Sequence, residues 1–172
     1  MQTLDKSLRS KLENTIIKAR EVAEEAAQNA LEQLGVEQPT PYSYLTEEQR
    51  ELRRKLRAHG RHLGDIRNPK TETQEIERLK DEIAYQHWHR MLFARFLAEN
   101  QLLMFYEGDE IDNAVAVTLE ECEEMAPEMG CSNGWELASR LAAKMLPQIF
   151  RPESPVFELS FSPEKQKDLE TL

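Results

Sequence analysis

Between residues 50 and 70, Arg50, Arg53, Arg54, Lys55, Arg57, Arg61, Arg67 and Lys70 stand against only Glu51 and Asp65, a local charge of +6 in a chain of net charge −10. Clustered guanidiniums suit phosphate. Each offers a planar fork of N–H donors, and a row of them gives affinity that depends on salt but not on base sequence. On a helix, Arg50 with Arg54 and Arg53 with Arg57 fall at i,i+4, where like charges cost about 0.2–0.5 kcal/mol per pair. Something acidic is expected to compensate. It is either a nucleic-acid backbone or the stretch 106–136, which carries ten Asp and Glu and no Lys or Arg. On the first alternative Arg50, Arg53, Arg54, Arg57 and Arg61 touch DNA phosphates; on the second the basic helix docks on protein carboxylates.

Other reactive side chains are spaced poorly for chemistry. His59 and His62 are three apart, and His87 and His89 flank Trp88, yet residues two apart on a helix face away from each other and no His-Glu-x-x-His pattern occurs. Packing histidines are expected. Cys122 and Cys131 are too few for a zinc site and lie among glutamates, which raise a thiol pKa, so they read as reduced packing residues. Arg90, Arg95, Glu99 and Asn100 interrupt the most apolar stretch and must be paired if buried, either in a network that fixes the bundle, which is the expectation, or on a ligand. The phosphate-loop, nucleophile-elbow, dinucleotide and deaminase signatures do not occur, so the chain is expected to have no catalytic, metal or cofactor residue of its own.

The positioning elements are helices. Leu8, Leu12, Ile16, Ala19, Ala23, Ala26, Ala30 and Leu34 recur every three or four residues, predicting a helix over 4–34 that Gly35 ends. Thr46 with Gln49 opens a second helix to about residue 63, with a narrow stripe of Leu52, Leu56, His59 and Leu63, and Gly64 to Pro69 stops it. Thr71 with Gln74 repeats the capping signal and predicts a third helix to about Leu103. Its second half, from Trp88, is apolar on nearly all sides, as in the middle of a bundle. Residues 106–117 suit a loop with at most one short strand. Thr118 with Glu121 and Asn133 with Glu136 open two further helices, limited by Pro127 and Pro147. Val156, Phe157, Leu159 and Phe161 alternate among prolines as in an arm or edge strand, and the last ten residues begin another helix.

Six glycines in 172 residues and 31% charged residues exclude collagen-like and Gly-rich linker classes, and no apolar run approaches the ~18 residues of a membrane span. The opening MQTLDKSLRSK has no apolar core for secretion, so a cytoplasmic location is expected.

The run EIAYQHWHRMLFARFLAENQLL, with RAHGRHLGD, GWELASRLAAKMLPQIF and RPESPVFEL, resembles the N-terminal helical region of large adenine-specific DNA methyltransferases of the type IIG-like restriction-modification and bacteriophage-exclusion groups. The similarity spans about residues 7 to 170. It implies a module that precedes a catalytic domain using S-adenosylmethionine. That domain's Phe-x-Gly-type and Asn-Pro-Pro-Tyr or -Phe motifs are absent here, and Asn68-Pro69-Lys70 is not a match, so no catalytic residue carries over.

The resulting expectation is an all-α, irregular multi-helix bundle over residues 1–150, with residues 151–172 an extended arm leading to a further domain. Its expected role is scaffolding and DNA-backbone contact for a downstream methyltransferase domain. The alternative is a stand-alone helical interaction module that does not bind DNA.

Overall fold

The computed structural model describes residues 5–106, 108, 113–151 and 153–172. Among them the chain is mostly helical, with α1 (Lys6–Gln33), α2 (Glu47–Leu63), α3 (Glu77–Glu99), α4 (Leu119–Met125), α5 (Gly134–Met145), α6 (Pro147–Phe150) and α7 (Pro163–Glu170). The all-α expectation holds at that level. No helix among the described residues is long and apolar enough to cross a membrane.

The chain divides into two compact units, the first from residues up to Trp88 together with Ser154–Leu172, the second His89–Glu153. These bounds are not those of the expected bundle over 1–150 with an arm over 151–172. The division falls inside α3. The segment expected as an extended arm belongs to the first unit, where it forms a 3-10 turn at Pro155–Phe157 and then α7. Its alternation suggested a strand, but Pro155 and Pro163 occupy first-turn helical positions, where a missing N–H costs nothing.

In the first unit, α1 buries Ala23, Ala26, Ala27, Ala30 and Leu31, and α7 packs against α1. Lys165 on α7 reaches Glu25 at 2.7 Å. Gly35, at φ +60°, ends α1: its amide reaches the Glu32 carbonyl at 2.9 Å and the Val36 amide reaches Leu31 at 3.1 Å, satisfying two terminal carbonyls. Thr46 and Gln49 form the expected reciprocal cap on α2, and Gly64, at φ +105°, closes it by the same glycine device.

The expected start of α3 at Thr71 is wrong. Thr71 instead pairs its hydroxyl with that of Thr73 at 2.7 Å, Glu72 takes φ +60°, and Arg67 bridges Gln74 in antiparallel fashion, so residues 67–74 fold as a reverse turn. The cap comes from Asp65, whose buried carboxylate accepts the Arg78 and Leu79 amides at 2.9 and 3.1 Å. At its other end α3 stops at Glu99 rather than Leu103, because Gln101, at φ +57°, performs the left-handed closure usually left to glycine.

In the second unit, Ala94, Leu97 and Ala98 of α3 join Leu103, Val117, Cys122, Ala126, Leu137, Ala138 and Leu141 in one apolar core. The all-round burial expected for this half of α3 does not occur: Leu92 is 40% and Phe96 53% exposed. One face suffices because α4 and α5 pack chiefly on each other. Gly134 is required there, since a Cβ at that position would sit 2.7 Å from the Glu123 backbone nitrogen. The caps by Thr118 and Asn133 are as expected. β1 (Met104–Phe105) and β2 (Val115–Ala116) pair antiparallel, Met104 opposite Ala116, so the expected single strand has a partner.

Candidate functional site

α2 carries all five arginines expected on phosphate, and the structure sorts them by the face they occupy. Its buried positions are Arg53, Leu56, Arg57 and Gly60, spaced i, i+3, i+4, i+7. The apolar stripe thus lies to one side of the Leu52–Leu56–His59–Leu63 line. Two guanidiniums point inward with it.

Arg53 is 5% and Arg57 8% exposed. Arg53 donates Nε to the Gly35 carbonyl at 2.9 Å and Nη2 to that of Gln38. Arg57 donates Nη1 to the carbonyls of Val36, at 2.6 Å, and Gln38, and Nη2 to Glu72 at 3.1 Å. Together they clamp the turn after α1 against the turn before α3. Burial lowers the pKa of both, Arg53 and Arg61 lower that of Arg57 further, and Glu37 partly offsets this. A guanidinium remains protonated at neutral pH even so. Phosphate contact through Arg53 and Arg57 is accordingly corrected: both side chains are buried and their donors are committed to main-chain oxygens.

The turns themselves explain the arrangement. Residues 35–38 form no regular structure, so their carbonyls need donors from elsewhere, and the Glu37 carbonyl finds one in the Gln74 amide at 2.9 Å. Gln74 is a second keystone, buried, with Nε2 on the Arg57 carbonyl at 3.0 Å and Oε1 receiving Arg61 at 2.9 Å. Sequence reasoning missed Glu37, Asp65 and Gln74. The available signal was the i, i+3, i+4, i+7 set Arg53, Leu56, Arg57 and Gly60, which includes the small residue needed for close packing.

The other three arginines stay outside. Arg54 has a side chain 67% exposed, with Glu47 no nearer than 3.7 Å. Arg61 is exposed and donates Nη1 to Gln74 at 2.9 Å. Arg50 is half-buried, its Nε on the Leu45 carbonyl at 3.1 Å. Arg50, Arg54 and Arg61 lie within about 40° of one line along the helix, over about 16 Å. Beyond them Arg67 pairs with Glu72 at 2.8 Å and Lys70 is exposed on the reverse turn. Lys55, on another side of α2, reaches Glu158 at 3.0 Å. Among the described residues, the carboxylates that meet the basic stretch are Glu47, Glu51, Glu72 and Glu158.

The remaining candidates are structural. No group of three or more His, Cys, Asp or Glu among the described residues is arranged for a metal. His87 reaches the Val156 carbonyl at 3.0 Å and stacks on Phe161 at 4.3 Å, while His89 lies 5.5 Å from Phe150. Burial, with Glu121 and Cys131 adding, pushes the Cys122 thiol up to about 11, and burial raises Cys131 as well. Both are thereby held toward the thiol, the less nucleophilic form. Arg90, Arg95, Glu99 and Asn100 do not form one buried network. Arg95 and Glu99 are an exposed pair at 3.3 Å, Asn100 donates to the Phe96 carbonyl at 2.8 Å, and burial brings Arg90 down to about 10 despite Glu136.

Comparison with known proteins finds no matching family model, no matching curated protein and no matching solved structure.

Proposed function

We propose that this chain is a non-catalytic helical module that grips the DNA backbone through the outward face of α2 and scaffolds an adenine-specific, S-adenosylmethionine-dependent DNA methyltransferase of restriction-modification or phage defence. The methyltransferase context comes from the resemblance in residues 7–170, and the setting is the cytoplasm. The backbone contact is supported by one observation: Arg54 and Arg61, flanked by Arg50, keep exposed guanidiniums on one helical line in a chain of net charge −10. Phosphate can replace the long Glu47 pairing, because exposed ion pairs contribute only about 0.2–1 kcal/mol. The cofactor belongs to a catalytic domain carrying motifs that this sequence does not contain.

Fluorescence anisotropy with labelled duplexes of several unrelated sequences tests the contact. Arg54→Glu with Arg61→Glu should weaken binding about 10-fold or more at ~0.1 M salt, by a similar factor on every duplex, with the circular dichroism unchanged. Affinities equal to the parent's would remove the DNA contact.

A second reading, an interaction module that does not bind DNA, is favoured by Leu8, Leu12 and Ile17, which α1 leaves exposed. It calls for a defined oligomer or partner complex and negligible DNA affinity at ~0.15 M salt.

A further inference from the structure

In the first unit, away from the arginine line of α2, a cleft of about 420 Å³ runs between α1, the turn holding Tyr42 and Tyr44, and the chain entering α7. Its lining includes Ala26 and Ala30, whose small side chains leave the room. Tyr44 is 67% exposed, yet its ring is held in place. The hydroxyl donates to the Gln33 carbonyl at 2.6 Å, and Tyr42 stacks on it at 5.3 Å with 18° between planes. One pre-set aromatic face therefore remains open.

The charges around that face are unbalanced. Lys165, which also lines the cleft, is engaged by Glu25 at 2.7 Å. Glu32 accepts the neutral Gln28 amide, and among the described residues neither Glu32 nor Glu164 belongs to an ion pair. Two carboxylates beside an open tyrosine ring attract a cation and repel an anion. A guanidinium satisfies both elements at once, stacking its plane on the ring while its edge meets a carboxylate.

The remaining wall indicates what carries the cation. Leu159 and Phe161 are buried while Ser160 and Ser162 face the cleft, so this stretch is extended and presents one polar edge. The Ser160 and Phe161 amides have no partner among the described residues. An extended peptide can pair with such an edge while its side chain enters the pocket. We infer that the Tyr44–Glu32–Glu164 cleft is a docking site for an arginine of a partner polypeptide.

Titration of the full chain with acetyl-Ala-Arg-Ala-amide, followed by amide chemical shifts in NMR, tests this. Saturable shifts confined to residues around Tyr44, Ser160 and Glu164 are expected, and none with the neutral citrulline counterpart. Glu32→Gln with Glu164→Gln, both exposed, should weaken binding about 10-fold or more, Tyr44→Leu about 2–5-fold, and Tyr44→Phe by less than Tyr44→Leu, since the ring and its Tyr42 stack remain while the Gln33 tether is lost. Acetyl-arginine-methylamide should bind more weakly than the tripeptide. Absence of saturable shifts, equal binding of citrulline, or binding that survives the double glutamine variant would overturn the site. Tight binding of the single amino acid would overturn the polypeptide assignment.

Discussion

Arg53 and Arg54 are neighbours in sequence but lie about 100° apart around α2, and they meet opposite environments. Arg53, with Arg57, faces inward and holds the carbonyls of Gly35, Val36, Gln38 and Glu72. Arg54, with Arg61, faces outward and keeps most of its donors in water. A count of cations treats the four alike. What separates them is which carbonyls fold against the helix, and that depends on segments 15 to 21 residues away.

The comparison breaks most visibly at Arg57. Replacing it with Ala takes the Arg57 donors from the Val36 and Glu72 carbonyls and leaves that of Gln38 to Arg53 alone, and should cost about 2–4 kcal/mol in urea denaturation, whereas Arg54→Ala should stay within about 0.5 kcal/mol. Equal effects would mean that burial does not distinguish the two faces.

Asp65→Ala is the next largest. It frees two amides at the start of α3 and removes a buried carboxylate beside Gly60, with an expected loss of about 1–3 kcal/mol in the same assay. No measurable loss would return the cap to Thr71.

In the second unit burial acts on an acid rather than a base. The Cys122 thiol is raised, so the fold favours its neutral form, and this contribution to stability is fully present below the unfolded value of about 8.5. It is lost as pH rises through that value toward about 11. Iodoacetamide at pH ~8.5 should accordingly label native protein about 100-fold more slowly than protein in urea. Similar rates would show that the core around Cys122 opens readily.

Local signals were legible in the sequence and distant ones were not. Gly35, Gly64, Thr46, Thr118 and Asn133 act within four residues of themselves, and each sits where its type suggests. Asp65 caps across 13 residues, so nothing near Thr71 reveals that its capping pattern is idle. Gln101 ends a helix without being glycine, and the prolines of 155–163 break a strand pattern that is really a turn and a helix start. For the candidate site, sequence located the basic helix but not its inward face. A guanidinium on a carbonyl and one on phosphate require the same residue type.

The central claim is that α2 uses one pair of arginines for its own fold and offers the other to phosphate. Its most direct test is the salt dependence of duplex affinity, measured for the parent and for Arg54→Gln with Arg61→Gln. Each lost phosphate contact should flatten the slope of log affinity against log salt by about 0.9, so the double variant should lose roughly 1.8. An unchanged slope, with both proteins folded, would contradict it.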